Sequence, residues 1–132
     1  MGQPAARQSD PVTGTDLHIV LTPSPGGPVP TPVPLPFSGQ LVSGTSTDVL
    51  VNGRPAAVAG STAQNLPPHL PPPGTSFSKP PTNSGKVLLG SPTVLVNGKQ
   101  LARLGDSVLT CNDPVDAPTG SITAGSPDVL VG

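Results

Sequence analysis

The sequence lacks Trp and Tyr and has only two Phe, Phe37 and Phe77, so any hydrophobic core must be small. Charged side chains make up only 10% of the residues, the net charge is −1, and Lys and Arg form no run. A protein that grips nucleic-acid phosphates without regard to sequence needs such a run. We therefore expect a single small domain over residues 1–132 and no nucleic-acid partner.

The sequence also lacks long apolar runs and a pair of cysteines. Its longest apolar runs, such as residues 87–89 and 94–96, are far shorter than the roughly 18 residues of a membrane-spanning helix. Residues 1–4 do not resemble a charged region followed by an apolar one, so we expect no secretory signal peptide. Because Cys111 is the only cysteine, it cannot form an internal disulfide. A metal, a partner or both must stabilise so small a core.

Proline and glycine are abundant: together they account for 37 of the 132 residues, the sum of 21 Pro and 16 Gly. That composition is typical of disordered chains, so a proline-rich linker or interaction segment is the alternative interpretation. Two features favour a folded chain instead. The charge is too low for self-repulsion to hold the chain open, and the Val and Leu residues are clustered, as in short strands.

One phrase occurs three times, at residues 44–53, 90–98 and 125–132, with Val-Leu-Val as its shared centre. In the first two copies Asn-Gly follows immediately, and this dipeptide accepts positive φ at both central positions of a type I′ turn. Each copy therefore predicts a β-hairpin. A disordered linker is not expected to repeat the same sequence motif at matching positions.

A second phrase follows the first two copies, at residues 54–61 and 99–106, and its third counterpart lies at the other end of the chain, at residues 2–10. The repeats are therefore roughly 44–61, 90–106, and 125–132 completed by 2–10. Such a circular permutation requires residues 131–132 to lie beside residues 1–2. It predicts a ring of three hairpins with pseudo-threefold symmetry.

Two long proline-rich segments separate the hairpins, residues 22–39 and 66–85. We expect them to be ordered loops in polyproline conformation, which has little chain entropy to lose. No stretch has the 3.6-residue periodicity of an amphipathic helix longer than about two turns. The predicted fold is therefore all-β: hairpins joined by long proline-rich loops.

His18, His69 and Cys111 are the only His and Cys residues. The second phrase contains a four-residue segment similar to Pro-Ala-Ala-Arg, at residues 4–7, 55–58 and 100–103. His18 and His69 each lie eleven residues after the end of one such segment, and Cys111 lies eight residues after the end of the third. Each repeat thus donates one ligand to the symmetry axis, and two imidazoles with a thiolate favour zinc. The fourth ligand stays open: Asp16, Asp113, a water, a backbone group or three-coordination all fit.

A catalytic alternative would make Cys111 a nucleophile with His18 or His69 as its base. The sequence suggests no scaffold that forms a cleft, so we expect no enzymatic activity. For Arg7 and Arg103 we expect solvated surface positions rather than ion pairs with aspartates of the same repeats.

Residues 4–7, Pro-Ala-Ala-Arg, with degenerate copies at residues 55–58 and 100–103, resemble the PAAR-repeat family named after this motif. The resemblance implies a small cone, with a metal at its apex, that caps the blunt end of a homotrimeric valine-glycine-repeat (VgrG-like) spike. One copy would serve each trimer and sharpen the spike for membrane puncture. Such spikes belong to contractile injection systems: type VI secretion, phage tail-like particles and extracellular injection particles.

The resemblance further implies synthesis in the bacterial cytoplasm, delivery as part of the assembled particle, transient contact with the target membrane and, in some systems, an effector cargo. We expect no toxin domain after Gly132, because the chain stops directly after the third strand. The segment 22–32, followed by Phe-Ser-Gly at 37–39, is similar to the particle-borne and phage-derived branch of the family.

The family's apex zinc is typically held by three His and one Cys. Members with this loop often place a His just before the Pro36-Phe37 pair, where this chain has Leu35. The resemblance therefore carries over only His18, His69 and Cys111 as ligands, and it leaves the coordination number open.

Overall fold

The computed structural model describes residues 2–132, and Met1 lies outside the described residues. These residues form thirteen β-strands and no α-helix, which confirms the all-β prediction. Accordingly, the described part of the chain offers no helix of the length and apolarity needed to cross a membrane.

Three two-stranded antiparallel hairpins form the part of the structure that we call the base. They pair β4 (Leu50–Val51) with β5 (Arg54–Pro55), β9 (Leu95–Val96) with β10 (Lys99–Gln100), and β13 (Leu130–Val131) with β1 (Gln3–Pro4). Asn52 and Asn97 have φ of 54° and the glycines that follow them have φ of 77°, as a type I′ turn requires. The third hairpin joins the two ends of the chain, as the permuted repeat predicts.

The Pro-Ala-Ala-Arg-like phrases close a ring at the centre of the base. Ala6, Ala57 and Ala102 occupy the third position of the three phrases, and all three are fully buried. The N–H of Ala57 donates to the carbonyl of Ala6 (3.0 Å), that of Ala102 to Ala57 (2.9 Å), and that of Ala6 to Ala102 (2.9 Å). This cycle of hydrogen bonds gives the base its pseudo-threefold axis, where close packing leaves room only for small side chains.

The arginines of the first and third phrases form ion pairs instead of solvated surface positions, so that expectation is wrong. The guanidinium of Arg7 is buried and lies 3.0 Å from the carboxylate of Asp10, which also accepts the Arg7 backbone N–H. Arg103 and Asp106 repeat the arrangement at 2.9 Å. The second repeat has Val58 and a serine at the same two positions, and the serine hydroxyl accepts the Val58 N–H. The backbone contact is kept while the charge pair is lost.

Six longer strands form a closed antiparallel barrel next to the base. In chain order they are β2 (Pro11–Thr22), β3 (Val29–Ser43), β6 (Thr62–Asn65), β8 (Ser84–Val87), β11 (Ser107–Thr110) and β12 (Ala117–Ile122). Their order around the barrel is β12-β11-β8-β6-β3-β2, and pairing between β12 and β2 closes it. At the closure Gly14 faces Gly120, and a Cβ at Gly14 would lie 2.6 Å from the Thr119 carbonyl. Only glycine allows this approach.

Each repeat contributes one antiparallel strand pair to the barrel: β2 with β3, β6 with β8, and β11 with β12. Strands β2, β6 and β11 each begin four residues after a Pro-Ala-Ala-Arg-like phrase, at residues 11, 62 and 107. They therefore lead the chain away from the base, and their far ends approach the predicted metal ligands.

The hydrophobic core consists of two buried clusters. The barrel cluster contains Ala6, Val12, Phe37, Leu41, Ala57, Ala63, Val87, Ala102, Val108 and Ile122. The base cluster contains Ala5, Val51, Ala56, Val58, Val96, Leu101 and Val131. Every one of the three repeats supplies a Val of its Val-Leu-Val phrase to the base cluster, which explains why that phrase recurs.

Residues 29–39, expected to be a loop, instead belong to strand β3. It pairs with β2 in continuous register from Pro11↔Gln40 to Thr22↔Val29. Proline occupies alternate positions of the strand, namely Pro30, Pro32, Pro34 and Pro36. At these positions an N–H would point away from β2, so its loss leaves the ladder to β2 intact. We call residues 16–35 of this long hairpin the arm.

A thirteenth strand, β7 (Ser76–Phe77), pairs with the other edge of β2 at Val20 and Leu21. It lies within the second proline-rich segment, most of which contains no strand, as expected for an ordered loop. Phe77 thereby comes to lie against the ring of His18, with 5.7 Å between the ring centroids.

Candidate metal centre

Four buried side chains that can ligate a metal meet at the junction of the barrel and the arm. They are Asp16, His18, His69 and Cys111, and one ligand atom from each lies within 4.8 Å of all the others. The structure therefore brings together the three residues singled out in the sequence, one from each repeat. It also selects Asp16 from the alternatives that the sequence left open for a fourth group.

The shortest contacts of the cluster converge on Asp16. Its Oδ2 lies 2.8 Å from Nε2 of His69 and 3.4 Å from Sγ of Cys111. Nε2 of His18 lies 3.7 Å from the same Sγ, and the two imidazole centroids are 4.9 Å apart. Two nitrogens, one sulfur and one oxygen thus face a common point.

Strand geometry explains how residues distant in sequence reach this point. Asp16 and His18 are two positions apart in β2, so their side chains lie on the same face. Cys111 directly follows the end of β11. His69 lies in a loop whose position is fixed by Asn83, because the Asn83 side-chain oxygen accepts the His69 backbone N–H at 2.7 Å.

Each imidazole has a second polar neighbour on its Nδ1 side. Nδ1 of His18 lies 3.5 Å from the carboxylate of Asp113, and Nδ1 of His69 lies 3.3 Å from the side-chain nitrogen of Asn65. Both rings therefore direct Nε2 towards the cluster, the orientation that outer partners impose on metal-binding histidines. Asp113, the other acid considered from the sequence, lies behind His18 and outside the cluster.

The charges in the cluster call for a cation. The Asp16 side chain is fully buried, and no Lys or Arg among residues 2–132 forms an ion pair with it. Burial and, secondarily, the nearby His69 lower the pKa of His18, which keeps its imidazole neutral and able to ligate. Burial, followed by the charge of Asp16, raises the pKa of the Cys111 thiol.

A divalent cation would balance the charge of this cluster. A buried carboxylate without a cationic partner is costly, and a metal would both neutralise it and stabilise the thiolate of Cys111. Two imidazoles, one thiolate and one carboxylate are a ligand set that suits tetrahedral zinc. The nitrogen Nδ1 of His18 and the oxygen Oδ1 of Asp113 are buried without a hydrogen-bond partner, which marks this junction as incompletely satisfied by protein groups alone.

Sequence reasoning missed the polar side chains that hold the ligands in place. Asn65 and Asn83 fix the loop of His69, and Thr110, Asn112 and Thr119 surround Asp16. Two of these residues adjoin Cys111 in sequence, which is a usable signal. Asn65 and Asn83 offer none, because only the pairing of β6 with β8 brings them together.

Comparison with known proteins identifies one family. Residues 78–132 match the model of the PAAR motif, a span that contains the repeat at 90–106 and Cys111. No curated protein and no solved structure matches the chain significantly. The matched motif is that of spike-tip proteins of contractile injection systems, and the remaining two copies of the phrase occupy equivalent places in the ring described above. Residues 78–132 therefore carry a PAAR motif, as the resemblance of the repeated phrases predicts.

Proposed function

We propose that this protein is a non-catalytic tip that caps a homotrimeric VgrG-like spike, one copy per trimer, and sharpens it for puncture of a target membrane. The family supplies the general role of a spike tip. The capping of a trimer is inferred from the base, where a single chain presents three similar surfaces. A homotrimer can contact all three in near-equivalent ways.

The observation that carries the proposal is a set of three exposed leucines. Leu50, Leu95 and Leu130 hold the same position in the three hairpins, and their exposures are 61%, 62% and 64%. Exposed apolar side chains are unremarkable one at a time, but three symmetry-related ones on a single small surface mark an interaction site. The near-equal exposures show that the three hairpins present them alike.

The backbone at these leucines supports docking as well. In a hairpin with a two-residue turn, the residues that flank the turn share hydrogen bonds and the next pair does not. Val51 and Arg54 flank the first turn, so the N–H and C=O of Leu50 point away from β5. Strands of a trimeric partner could pair with these outward groups at three related places.

At the other end of the barrel, the proposed metal is zinc, held by His18, His69, Cys111 and Asp16. It would tie the arm, the loop of His69 and the end of β11 into one unit. Structural zinc supplies on the order of 10 kcal/mol of folding free energy, which a core of this size needs. A rigid pointed end suits a part that must cross a membrane under force.

The surroundings of Cys111 favour a ligand role over catalysis. The residue is 3% exposed, and its pKa is raised rather than lowered, whereas a nucleophilic cysteine needs an accessible thiolate. We further propose that the protein is made in the bacterial cytoplasm and leaves it as part of the injection particle.

The docking proposal is tested by mixing the protein with the purified VgrG-like trimer of the same organism and measuring the mass of the complex by light scattering. We expect one chain per trimer. The triple variant Leu50→Asp/Leu95→Asp/Leu130→Asp should lose binding by more than about 100-fold, because three charges would be buried unpaired.

The matched control carries the same three changes at exposed leucines outside the base, Leu66→Asp/Leu70→Asp/Leu89→Asp. It should bind like the unmodified protein, and both variants should retain their metal. Three chains per trimer, or equal binding by the two triple variants, would overturn the docking proposal.

A further inference from the structure

The two carboxylate oxygens of Asp16 have different surroundings. Oδ2 faces His69 and Cys111 in the metal cluster. Oδ1 faces the opposite way, towards polar side chains from β11, β12 and the residues that follow β11. A carboxylate can ligate a metal through one oxygen or both, so this difference bears on the coordination number.

Three side chains direct donors at Oδ1. The hydroxyl of Thr110 donates to it, and the hydroxyl of Thr119 and the side-chain nitrogen of Asn112 each lie 3.4 Å from it. The two hydroxyls are also 2.7 Å apart, so they form one connected network. Together they surround the Oδ1 side of the carboxylate with polar groups.

The donors are themselves held in place. The side-chain oxygen of Asn112 accepts the backbone N–H of Leu17 at 2.6 Å, which fixes the amide so that its nitrogen faces Asp16. That nitrogen also lies 3.2 Å from the carbonyl of Thr110. Because Leu17 adjoins Asp16 in β2, the network locks the strand and the carboxylate together.

We propose that Thr110, Asn112 and Thr119 are positioning residues that make Asp16 a one-oxygen ligand. Bound through Oδ2 alone, Asp16 completes a four-coordinate site with His18, His69 and Cys111. This inference rests on the proposed metal binding. It adds a role for three side chains that touch only the ligand and never the metal.

The network around Oδ1 could have one of two roles, and removal of its hydroxyls affects the metal differently in each. If it served only to satisfy a buried carboxylate, removing its hydroxyls would lower stability but leave the metal's coordination unchanged. If it restrains Asp16, removing them frees the carboxylate to turn and bind through both oxygens. The coordination number of the bound metal separates the two cases.

The test uses Co²⁺ in place of zinc, because its visible absorption is intense in four-coordinate sites and weak in five-coordinate ones. The unmodified protein should give intense bands together with thiolate-to-cobalt charge transfer. Thr110→Val/Thr119→Val keeps the side-chain shape and removes both hydroxyls. We expect weaker bands and a loss of metal affinity of about 10- to 100-fold in a chelator competition.

The matched control is Thr13→Val/Thr15→Val, which removes two hydroxyls from exposed positions of β2. It should match the unmodified protein in spectrum and affinity. If the double variant does not fold, the single variant Thr119→Val replaces it, because this side chain lies at the surface. We expect it to give a smaller change of the same kind.

The outcomes separate this inference from the proposal beneath it. If the unmodified protein takes up neither Zn²⁺ nor Co²⁺, the proposed metal site is wrong and the positioning role fails with it. If the unmodified protein gives four-coordinate spectra and the threonine variants give the same spectrum and affinity, only the positioning role is wrong.

Discussion

The base and the metal centre are built on the same threefold plan, yet they keep its symmetry to very different degrees. In the base, one hairpin and one backbone contact recur three times with nearly equal geometry. In the metal centre, the first repeat supplies two groups from a strand, the second supplies one from a loop, and the third supplies one from a strand end. The base needs only a short phrase in each repeat, whereas the metal centre depends on connections of unequal length.

The two regions also differ in what stabilises them. The base is held by backbone hydrogen bonds and buried Val and Ala side chains, which need no further partner. The candidate metal centre gathers polar side chains around a buried carboxylate and could hold a cation. Its stability should therefore respond to metal removal far more than that of the base.

The largest expected effect comes from removing one ligand. Cys111→Ser should lower the free energy of unfolding by about 3 kcal/mol or more and the melting temperature by about 10 °C or more, because a structural metal contributes to folding. Thermal unfolding and elemental analysis measure both effects. Ser107→Ala, at an exposed position of β11, the strand that Cys111 follows, serves as the control and should change neither. Equal melting temperatures would show that the metal centre does not stabilise the fold.

A medium effect on stability is expected for the ion pair of Arg7 and Asp10, which the second repeat lacks. Arg7→Val leaves the buried Asp10 carboxylate without its main partner, which should cost about 3 kcal/mol. The double variant Arg7→Val/Asp10→Ser copies the Val58 and Ser61 of the second repeat. It should cost less than the single variant, with a coupling of about 1 to 3 kcal/mol in denaturant unfolding.

This double-mutant cycle tests whether the repeated phrases of the base are interchangeable. The single variant Asp10→Ser completes the cycle. The contradicting result is that the losses of unfolding free energy of the two single variants simply add in the double variant. Addition would mean that the backbone contact shared by all three repeats depends on the charge in the first one.

The smallest effect on stability is expected at the outer edge of β3. Pro32→Thr/Pro34→Thr restores two N–H donors on an edge that faces no other strand, so the melting temperature should shift by only about 3 °C. The restored edge should pair between molecules, and light scattering should detect self-association at high concentration. Pro71→Thr/Pro73→Thr, in a loop without strand structure, should stay monomeric. If the first variant stays monomeric too, the prolines do not protect this edge.

The features that follow from the repeat were predictable from the sequence, whereas the long strand β3 was not. The Asn-Gly turns, the pairing of the chain ends and the convergence of His18, His69 and Cys111 were all predictable, because each follows from the repeat. The strand at residues 29–39 was not predicted, since a high proline content is typical of loops. Its prolines are tolerated only because they alternate on the side facing away from β2, and the position of that neighbour is not a local property.

The all-β class, the threefold base and the convergence of His18, His69 and Cys111 follow from the sequence alone, because short repeated phrases carry turn geometry and spacing within a few residues. The places of Asp16 within the cluster and of Asp113 behind His18 depend instead on contacts between distant strands. Both acids are close in sequence to a predicted ligand, so proximity along the chain could not separate them. Their distinction depends on strand alternation in β2 and on the network of Thr110, Asn112 and Thr119, which closure of the barrel brings together.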